Sequence, residues 1–385
     1  MISLRFFELK TSIPIGFYCR YPYNIYNKRL ALMLHNETLK KQKNVTAIDL
    51  FSGAGGLTQG LKQAGFSVIG AVEYEQMACD TYKLNHPEVN LLPNDIRTID
   101  PSQFMKDLGL NKGDLDLLAG CPPCQGFSTI GTRNRGAKRN DKRNDYVFEI
   151  VRFAKEFLPK TVMMENVPAL ASDRRMNVVK RELNRLGYSF DAKVLNAADF
   201  GVPQRRRRMI MLCSRVGELC IEQPARPITL STVRQKIGKM PTPGSSGDSL
   251  HDMPEKRSPR IQRLISLVPK DGGSRKDLPE DLKLDCHKRI DGFRDVYGRM
   301  AWDKPSPTIT GGCSNPSRGR FLHPEQDRTI TLREAALLQT FPITYKFSLK
   351  RGKQSVAVMV GNALPPIFIE HHAKNILNHL ELVRN

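Results

Sequence analysis

The sequence is short of acidic side chains, of tryptophan and of long apolar runs, and the first and third of these shortages narrow what the chain can be. Only 39 of its 385 residues are Asp or Glu, against 60 Lys or Arg, for a formal net charge of +21 at pH 7. Such an excess favours polyanionic partners, nucleic acid or an anionic membrane surface, and says little about fold. No stretch approaches the ~18 consecutive apolar residues of a membrane span, and no signal-type apolar core follows the first charges, so no membrane association is expected. Cysteine is present but unpaired in pattern: the eight, at 19, 79, 121, 124, 213, 220, 286 and 313, are scattered. That suits a reducing, cytoplasmic compartment better than a secreted disulfide framework. Internal repeats are absent too. What is there is an ordinary globular balance, 40% hydrophobic and 26% charged, with length for about two to three domains and a core that needs no covalent staple.

Along the chain the pattern changes at Val45. Residues 1–44 carry eight basic and two acidic side chains without periodicity and read as an N-terminal extension, a partly ordered basic arm. Residues 45–50, 66–72, 114–119 and 161–164 are short apolar strands. Between them, a helical stretch ends near Gly65, and Val147, Val151, Ala154 and Leu158 share one helical face. A later helix carries Val179, Leu183 and Leu186, with Gly187 placed to close it. Alternating apolar strands and amphipathic helices predict an α/β, doubly wound, mostly parallel sheet with helices on both faces. After a last strand at 209–212 the regularity stops. Residues 216–305 are rich in Pro, Gly and Ser and nearly balanced in charge, 17 basic against 13 acidic; they read as a smaller, irregular domain. Helical order returns at Thr331, where Thr331 and Glu334 fit a capping box. A final helix from Pro366 buries Ile369, Ala373, Ile376 and Leu380. The division expected is 45–215, 216–350 with 216–305 as its variable part, and a segment 351–385 that completes the first domain.

The candidate site residues cluster at predicted strand ends. Phe51, Gly53, Gly55 and Gly56 lie between a strand and a helix, where glycines let backbone approach a nucleotide-type ligand and the helix N-terminus offers free N–H groups. Glu73 closes the next strand, placed to accept from ribose hydroxyls. A tight packing turn is the alternative, and the spacing is not that of a dinucleotide fingerprint. Cys121 and Cys124 flank two prolines after the 114–119 strand. A zinc site lacks a second close Cys or His pair, and a redox disulfide suits neither the prolines nor the fold. A single nucleophilic thiol remains, with Cys124 the better exposed candidate. Glu165 follows an apolar strand as a candidate acid/base or, alternatively, a helix cap. The four-arginine run 205–208 reads as a solvated or nucleic-acid-facing patch. Residues 133–143 hold six basic side chains, Arg133, Arg135, Lys138, Arg139, Lys142 and Arg143, and one acidic: a surface loop, or one that neutralises phosphates.

Together these motifs resemble the DNA (cytosine-5) methyltransferases. Residues 49–56, Glu73, 94–96, 120–128, 165–167, Gln204-x-Arg206-x-Arg208, 331–339 with Phe341-Pro342, and 361–365 follow that family's order and cover 45–215 and about 305–366. The resemblance implies a Rossmann-like methyltransferase fold with a target-recognition domain in 216–350, S-adenosylmethionine as cofactor, and no metal. It implies that Phe51, Gly53, Gly55, Gly56, Glu73, Asp95, Ile96, Asn362 and Ala363 shape the cofactor pocket. Cys124 would attack carbon 6 of a flipped-out cytosine, Glu165 would bond ring nitrogen 3 and the exocyclic amine, and Arg206 and Arg208 would steady the base. The 133–143 loop would close over double-stranded DNA. The expected protein is a cytoplasmic, monomeric, sequence-specific modification enzyme with a companion restriction endonuclease. A tRNA cytosine-5 methyltransferase and a non-catalytic DNA-binding relative are the alternatives; a nicotinamide oxidoreductase fits least.

Overall fold

Short apolar runs set the central strands, and amphipathic stretches between them set the helices. A computed structural model describes residues 44–123, 142–225, 229–280 and 295–384. In order, these form β1 (Thr46–Leu50), α1 (Gly56–Ala64), β2 (Ser67–Val72), α2 (Gln76–Asn85), β3 (Asn90–Leu92), α3 (Pro101–Asp107), β4 (Leu117–Gly120), α4 (Val147–Phe157) and β5 (Thr161–Asn166). They continue with α5 (Arg174–Arg185), β6 (Ser189–Asn196), β7 (Arg207–Ser214), α6 (Val233–Ile237), α7 (Pro259–Leu267), α8 (Leu332–Leu338), α9 (Gly352–Asn362) and α10 (Pro366–Arg384).

The seven strands make one sheet in the order β3-β2-β1-β4-β5-β7-β6. The first five are parallel, and β7 runs antiparallel to both β5 and β6. The expected doubly wound, mostly parallel sheet is therefore present. Because successive strand residues face opposite ways, Ala47 joins one apolar layer with Leu57, Leu61, Phe368 and Ile376 of α1 and α10. Its neighbour Ile48 joins the other, with Phe104, Ile150, Phe153 and Leu183 of α3, α4 and α5. Both faces are thus dry, as parallel strands require.

Several local expectations hold. Thr331 Oγ1 accepts from Glu334 N at 3.1 Å and Glu334 Oε2 accepts from Thr331 N at 2.7 Å, closing the capping box of α8. Ile369, Ala373, Ile376 and Leu380 are all buried. At the end of α5, Gly187 takes φ +87°, and the amides of Gly187 and Tyr188 return to Asn184 O and Leu183 O, a Schellman closure. Two expectations need correction. The inner face of α4 is Val147, Ile150, Phe153, Ala154 and Phe157; Val151 is half-buried and Leu158 lies past the helix end in a left-handed conformation. Glu165 and Asn166 are the last two residues of β5 rather than a turn after it.

The chain from Val45 onward forms one compact unit. Within it, a third apolar cluster joins Val233, Ile237, Leu250, Met300, Ile309 and Phe321 to Leu332 of α8, Val356 of α9 and Ala54 of the glycine turn. Among the described residues no helix is long and apolar enough to cross a membrane.

Candidate active site

In the sheet order, the chain reverses direction between β1 and β4, and crevices for ligands open at the carboxyl ends of strands around such a point. Phe51 follows β1, Glu73 follows β2, Asp95 and Ile96 follow β3, and Cys121 follows β4. β7 runs the other way, so its first residues, Arg207 and Arg208, reach the same edge beside Glu165 and Asn166. The topology alone gathers these candidates.

On the β1–β3 side, the turn after β1 is conformationally unusual. Phe51 has φ +61°, a sterically costly value for a residue with Cβ, and Gly53 and Gly55 have φ +54° and +89°. Gly55 caps α1 without a side-chain partner. A Cβ on Gly55 would stand 2.5 Å from Tyr345 Oη, the hydroxyl that donates to Ala54 O at 2.6 Å, so the turn rests against this tyrosine. Glu73 is buried and ties the turn to β2: Gly53 N donates to Oε2 at 2.8 Å, and the amides of Tyr74 and Glu75 donate to Oε1 at 2.9 and 2.8 Å. Burial raises its carboxyl pKa, against the pull of those three amides. Beneath, Asp49 accepts from Thr58 N and Oγ1 at 3.1 and 2.6 Å; burial pushes its pKa up to about 7.

Asp95 holds Arg97 in a close ion pair and accepts from Tyr146; Arg97 is the main cause of its lowered pKa. The Tyr146 ring meets Phe51 edge-on at 5.8 Å, and the Arg97 guanidinium lies 4.9 Å over it. Ile96 is buried below. Tyr146, and Tyr74, which is 60% exposed beside Glu73, were not among the sequence candidates. An aromatic residue directly after a strand-ending glutamate was the available signal for Tyr74. Asn362 is exposed at the end of α9, and Ala363 caps that helix.

On the β4–β7 side, the parallel register pairs Gly120 with Met164, so the next residues, Cys121 and Glu165, fall side by side. The Cys121 thiol hydrogen-bonds the Glu165 carboxylate, and its own pKa is pushed well up, chiefly by burial and then by Glu165. Arg208 Nε forms an ion pair with Glu165 Oε1 at 2.8 Å. No donor is aligned on that buried oxygen. Burial raises the Glu165 pKa, with Arg208 and then Arg206 opposing it. Asn166 Nδ2 donates to Pro122 O at 2.9 Å, fixing the backbone next to Cys121.

The four-arginine run does not behave as one patch. Extended backbone sends alternate side chains to opposite sides: Arg205 and Arg207 are exposed, Arg206 is buried and Arg208 is half-buried against Glu165. Arg206 Nη1 and Nη2 donate to Ile309 O and Gly361 O at 3.0 and 3.1 Å, so its donors are engaged with backbone as well as lying near Glu165. Cys124, Arg133, Arg135, Lys138 and Arg139 lie outside the described residues, as do the side chains of Lys142 and Arg143. Among the described residues no group of His, Cys, Asp or Glu could hold a metal ion.

A seven-stranded sheet in this order, with its seventh strand antiparallel and a glycine turn after its first, is the Rossmann-like methyltransferase fold. The chain belongs to the C-5 cytosine-specific DNA methylase family, whose profile matches residues 45–378. The type II methylase M.HgiDII of Herpetosiphon aurantiacus is 36% identical over 347 residues, 87% of this chain and 95% of that protein. The type II methyltransferase M1.HphI of Haemophilus parahaemolyticus is 37% identical over 341 residues, 87% of each. The structure of S. pombe Dnmt2 methyltransferase shares the fold, with a TM-score of 0.60 at 18% identity over 88% of this chain and 99% of that one. The protein is thus a DNA cytosine-5 methyltransferase.

Proposed function

We propose that this enzyme is the modification arm of a type II restriction–modification system, methylating cytosine within one short duplex sequence with S-adenosylmethionine, alongside a cognate endonuclease. The observation that carries the chemistry is Glu165: a buried carboxylate, flanked by Arg208 and by Cys121 at the start of the Cys-Pro-Pro-Cys segment, with one oxygen lacking an aligned donor. Cytosine carbon 5 is too poor a nucleophile to accept a methyl group unaided. The Cys124 thiolate adds at carbon 6, and the electron pair moves through the ring toward nitrogen 3, where Glu165 hydrogen-bonds or donates its proton. Carbon 5 becomes enamine-like and takes the methyl group; loss of its proton then expels Cys124. A raised Glu165 pKa suits a group that must hold a proton at that atom. The base must be flipped out of the duplex to reach this edge.

The residues fit the cofactor. Glu73 fixes the glycine turn and keeps further acceptor capacity for ribose hydroxyls. Phe51, Tyr74, Tyr146 and Ile96 offer apolar and aromatic surface for an adenine, Asp95 an acceptor for its amine, and Gly53, Gly55, Gly56, Asn362 and Ala363 backbone for the remainder. When bound, S-adenosylmethionine supplies an electrophilic methyl group. Segment 216–350 is the target-recognition domain in this reading, and the basic residues Arg133–Arg143 close on DNA phosphates. Methylcytosine mapping in DNA from cells that make the protein tests the proposal: one short motif modified at every occurrence supports it. Transfer to tRNA and none to duplex DNA would sink it.

A further inference from the structure

The turn after β1 holds three residues at left-handed φ values, Phe51 at +61°, Gly53 at +54° and Gly55 at +89°. Phe51 carries a Cβ, so its conformation is costly and persists only where surrounding structure imposes it. Glu73 imposes part of it through the Gly53 amide. A second tether comes from two buried side chains on elements remote from β1. Tyr345, beyond α8, donates its hydroxyl to Ala54 O at 2.6 Å. That hydroxyl has one proton, so it meets His86 Nε2, 3.0 Å away, as an acceptor. His86, which caps the end of α2, therefore carries its proton on Nε2 and turns a bare Nδ1 to Lys62 Nζ at 3.4 Å. Lys62 in turn pairs with Glu88 at 2.6 Å.

This relay bears directly on the turn. A Cβ on Gly55 would stand 2.5 Å from Tyr345 Oη and 2.8 Å from His86 Nε2, so backbone and relay meet with no room between them. Burial lowers the His86 pKa from 6.5 to about 4, with the Lys62 ammonium acting in the same direction and Glu88 against it. The ring is therefore neutral near pH 7. Both rings are also held apart from these hydrogen bonds. Tyr345 packs against Phe341 and Phe347 at 4.6 and 5.4 Å, and its carbonyl accepts from Arg333 Nη1 at 2.8 Å. His86 packs against the Tyr82 ring at 4.9 Å. Removing the Tyr345 hydroxyl takes away the tether and leaves the packing.

We infer that His86 and Tyr345 are positioning residues for the cofactor: His86 orients the Tyr345 hydroxyl, and that hydroxyl fixes the strained turn 51–56 in its binding shape before a ligand arrives. The inference rests on the proposed cofactor site at that turn. Neither residue needs to touch the ligand. A turn formed in advance does not have to be ordered by the ligand it receives, and affinity is higher for it. Loss of the tether therefore falls on cofactor affinity, while methyl transfer from bound cofactor suffers far less.

The probe is S-adenosylhomocysteine, titrated by calorimetry. Tyr345→Phe weakens its binding by about five- to tenfold and raises KM for S-adenosylmethionine by a similar factor, with a much smaller change in kcat at saturating cofactor. His86→Leu does the same, whereas His86→Gln, which keeps an N–H donor, restores most of the affinity. In the Tyr345→Phe background His86→Leu adds nothing further, because His86 acts through the hydroxyl. Penalties that simply add in the double variant, or a kcat loss as large as the loss of affinity, would overturn the inference. A measurement on the unaltered protein covers the case of a misfolded variant: nitrogen-15 NMR finds the His86 ring neutral and protonated on Nε2 at pH 7, among Lys62, Glu88, Tyr82 and Tyr345. A proton on Nδ1 overturns the inference. A wild-type protein that binds S-adenosylhomocysteine no better than Tyr345→Phe removes this inference and leaves the cofactor site standing. A wild-type protein that binds none removes the cofactor site, and the inference with it.

Discussion

The sheet-edge half of the molecule and the segment between β7 and α8 solve the same problem by opposite means. In the first, backbone groups pair strand to strand, and the side chains between the layers are Ile, Leu, Val, Met and Phe. In the second, the described α-helices are α6 and α7 alone, so many carbonyls have no ladder to join. A buried arginine takes that part. Arg299, fully buried, donates to the carbonyls of Val268, Ile265, His323 and Gln326 and pairs with Asp327. Arg328 pairs with Glu334, and Arg333 with Asp248, in the same lobe. Five fixed donors let one guanidinium close several loops at once. A lobe built so can vary its loop sequence while its anchors stay, whereas the sheet edge must keep each strand end in place for chemistry.

The contrast predicts that substitutions in the two regions fail differently. Glu165→Gln should lower kcat by about 10²–10⁴-fold, the usual worth of a positioned acid or base, with the urea midpoint little changed. A variant that unfolds as its rate falls would erase the contrast. Arg299→Met should do the reverse. Leaving the carbonyls it serves without a donor costs about 1–3 kcal/mol for each one stranded in the interior, read from urea melts, while the fraction that stays folded keeps cofactor binding. Glu73→Ala sharpens the sheet-edge side: S-adenosylhomocysteine binding weakens by roughly 1–3 kcal/mol per lost charged hydrogen bond, by titration calorimetry, and kcat at saturating cofactor changes far less than in Glu165→Gln.

The smallest effect concerns an exception inside the sheet half. His372 of α10 is buried beside Phe200 and Phe368, with neither ring nitrogen hydrogen-bonded. Burial lowers its pKa from 6.5 to about 3. The unfolded chain takes up a proton below 6.5 and the folded chain does not. Its contribution to stability is therefore complete above that pH and declines as pH falls toward 3. At pH 5 the loss is about 2 kcal/mol. His372→Phe should recover about that much at pH 5 relative to pH 7, measured by melts at both. An equal effect at both pH values would mean the ring is not held neutral.

The same contrast explains what could be read from sequence. β1, β2, β4 and β5 are nearly all buried, so their apolar runs announced them, and α10 repeats Ile369, Ala373, Ile376 and Leu380 at helical spacing. β6 was missed because, at the sheet edge, it carries Asp191 and Lys193 with Phe190 and Val194 part-exposed; β3 is three residues long. The clustering of Glu73, Glu165 and the Arg206–Arg208 segment was legible because each sits at a strand end. The alternation within the arginine run was not, since it depends on extended backbone meeting Glu165 on one side and solvent on the other. Gln204 and Gln339, whose side chains hydrogen-bond each other, were visible only as motif members; 135 residues separate them, and no local pattern reveals a long-range amide pair. Arg299 gave no sign at all, being one cation in a segment of nearly balanced charge.

The central claim is that Cys124 forms a covalent bond to the target base. Duplex DNA carrying 5-fluorocytosine at the mapped position tests it directly, because fluorine cannot leave carbon 5 as a cation and the adduct cannot resolve. With S-adenosylmethionine present, the protein should become trapped on this DNA in a denaturant-stable complex. Cys124→Ser should abolish trapping, a serine hydroxyl being far less ionised than a thiol near neutral pH, while Cys121→Ser should retain it. Trapping through Cys121, or methylation sustained by Cys124→Ser, would contradict the account.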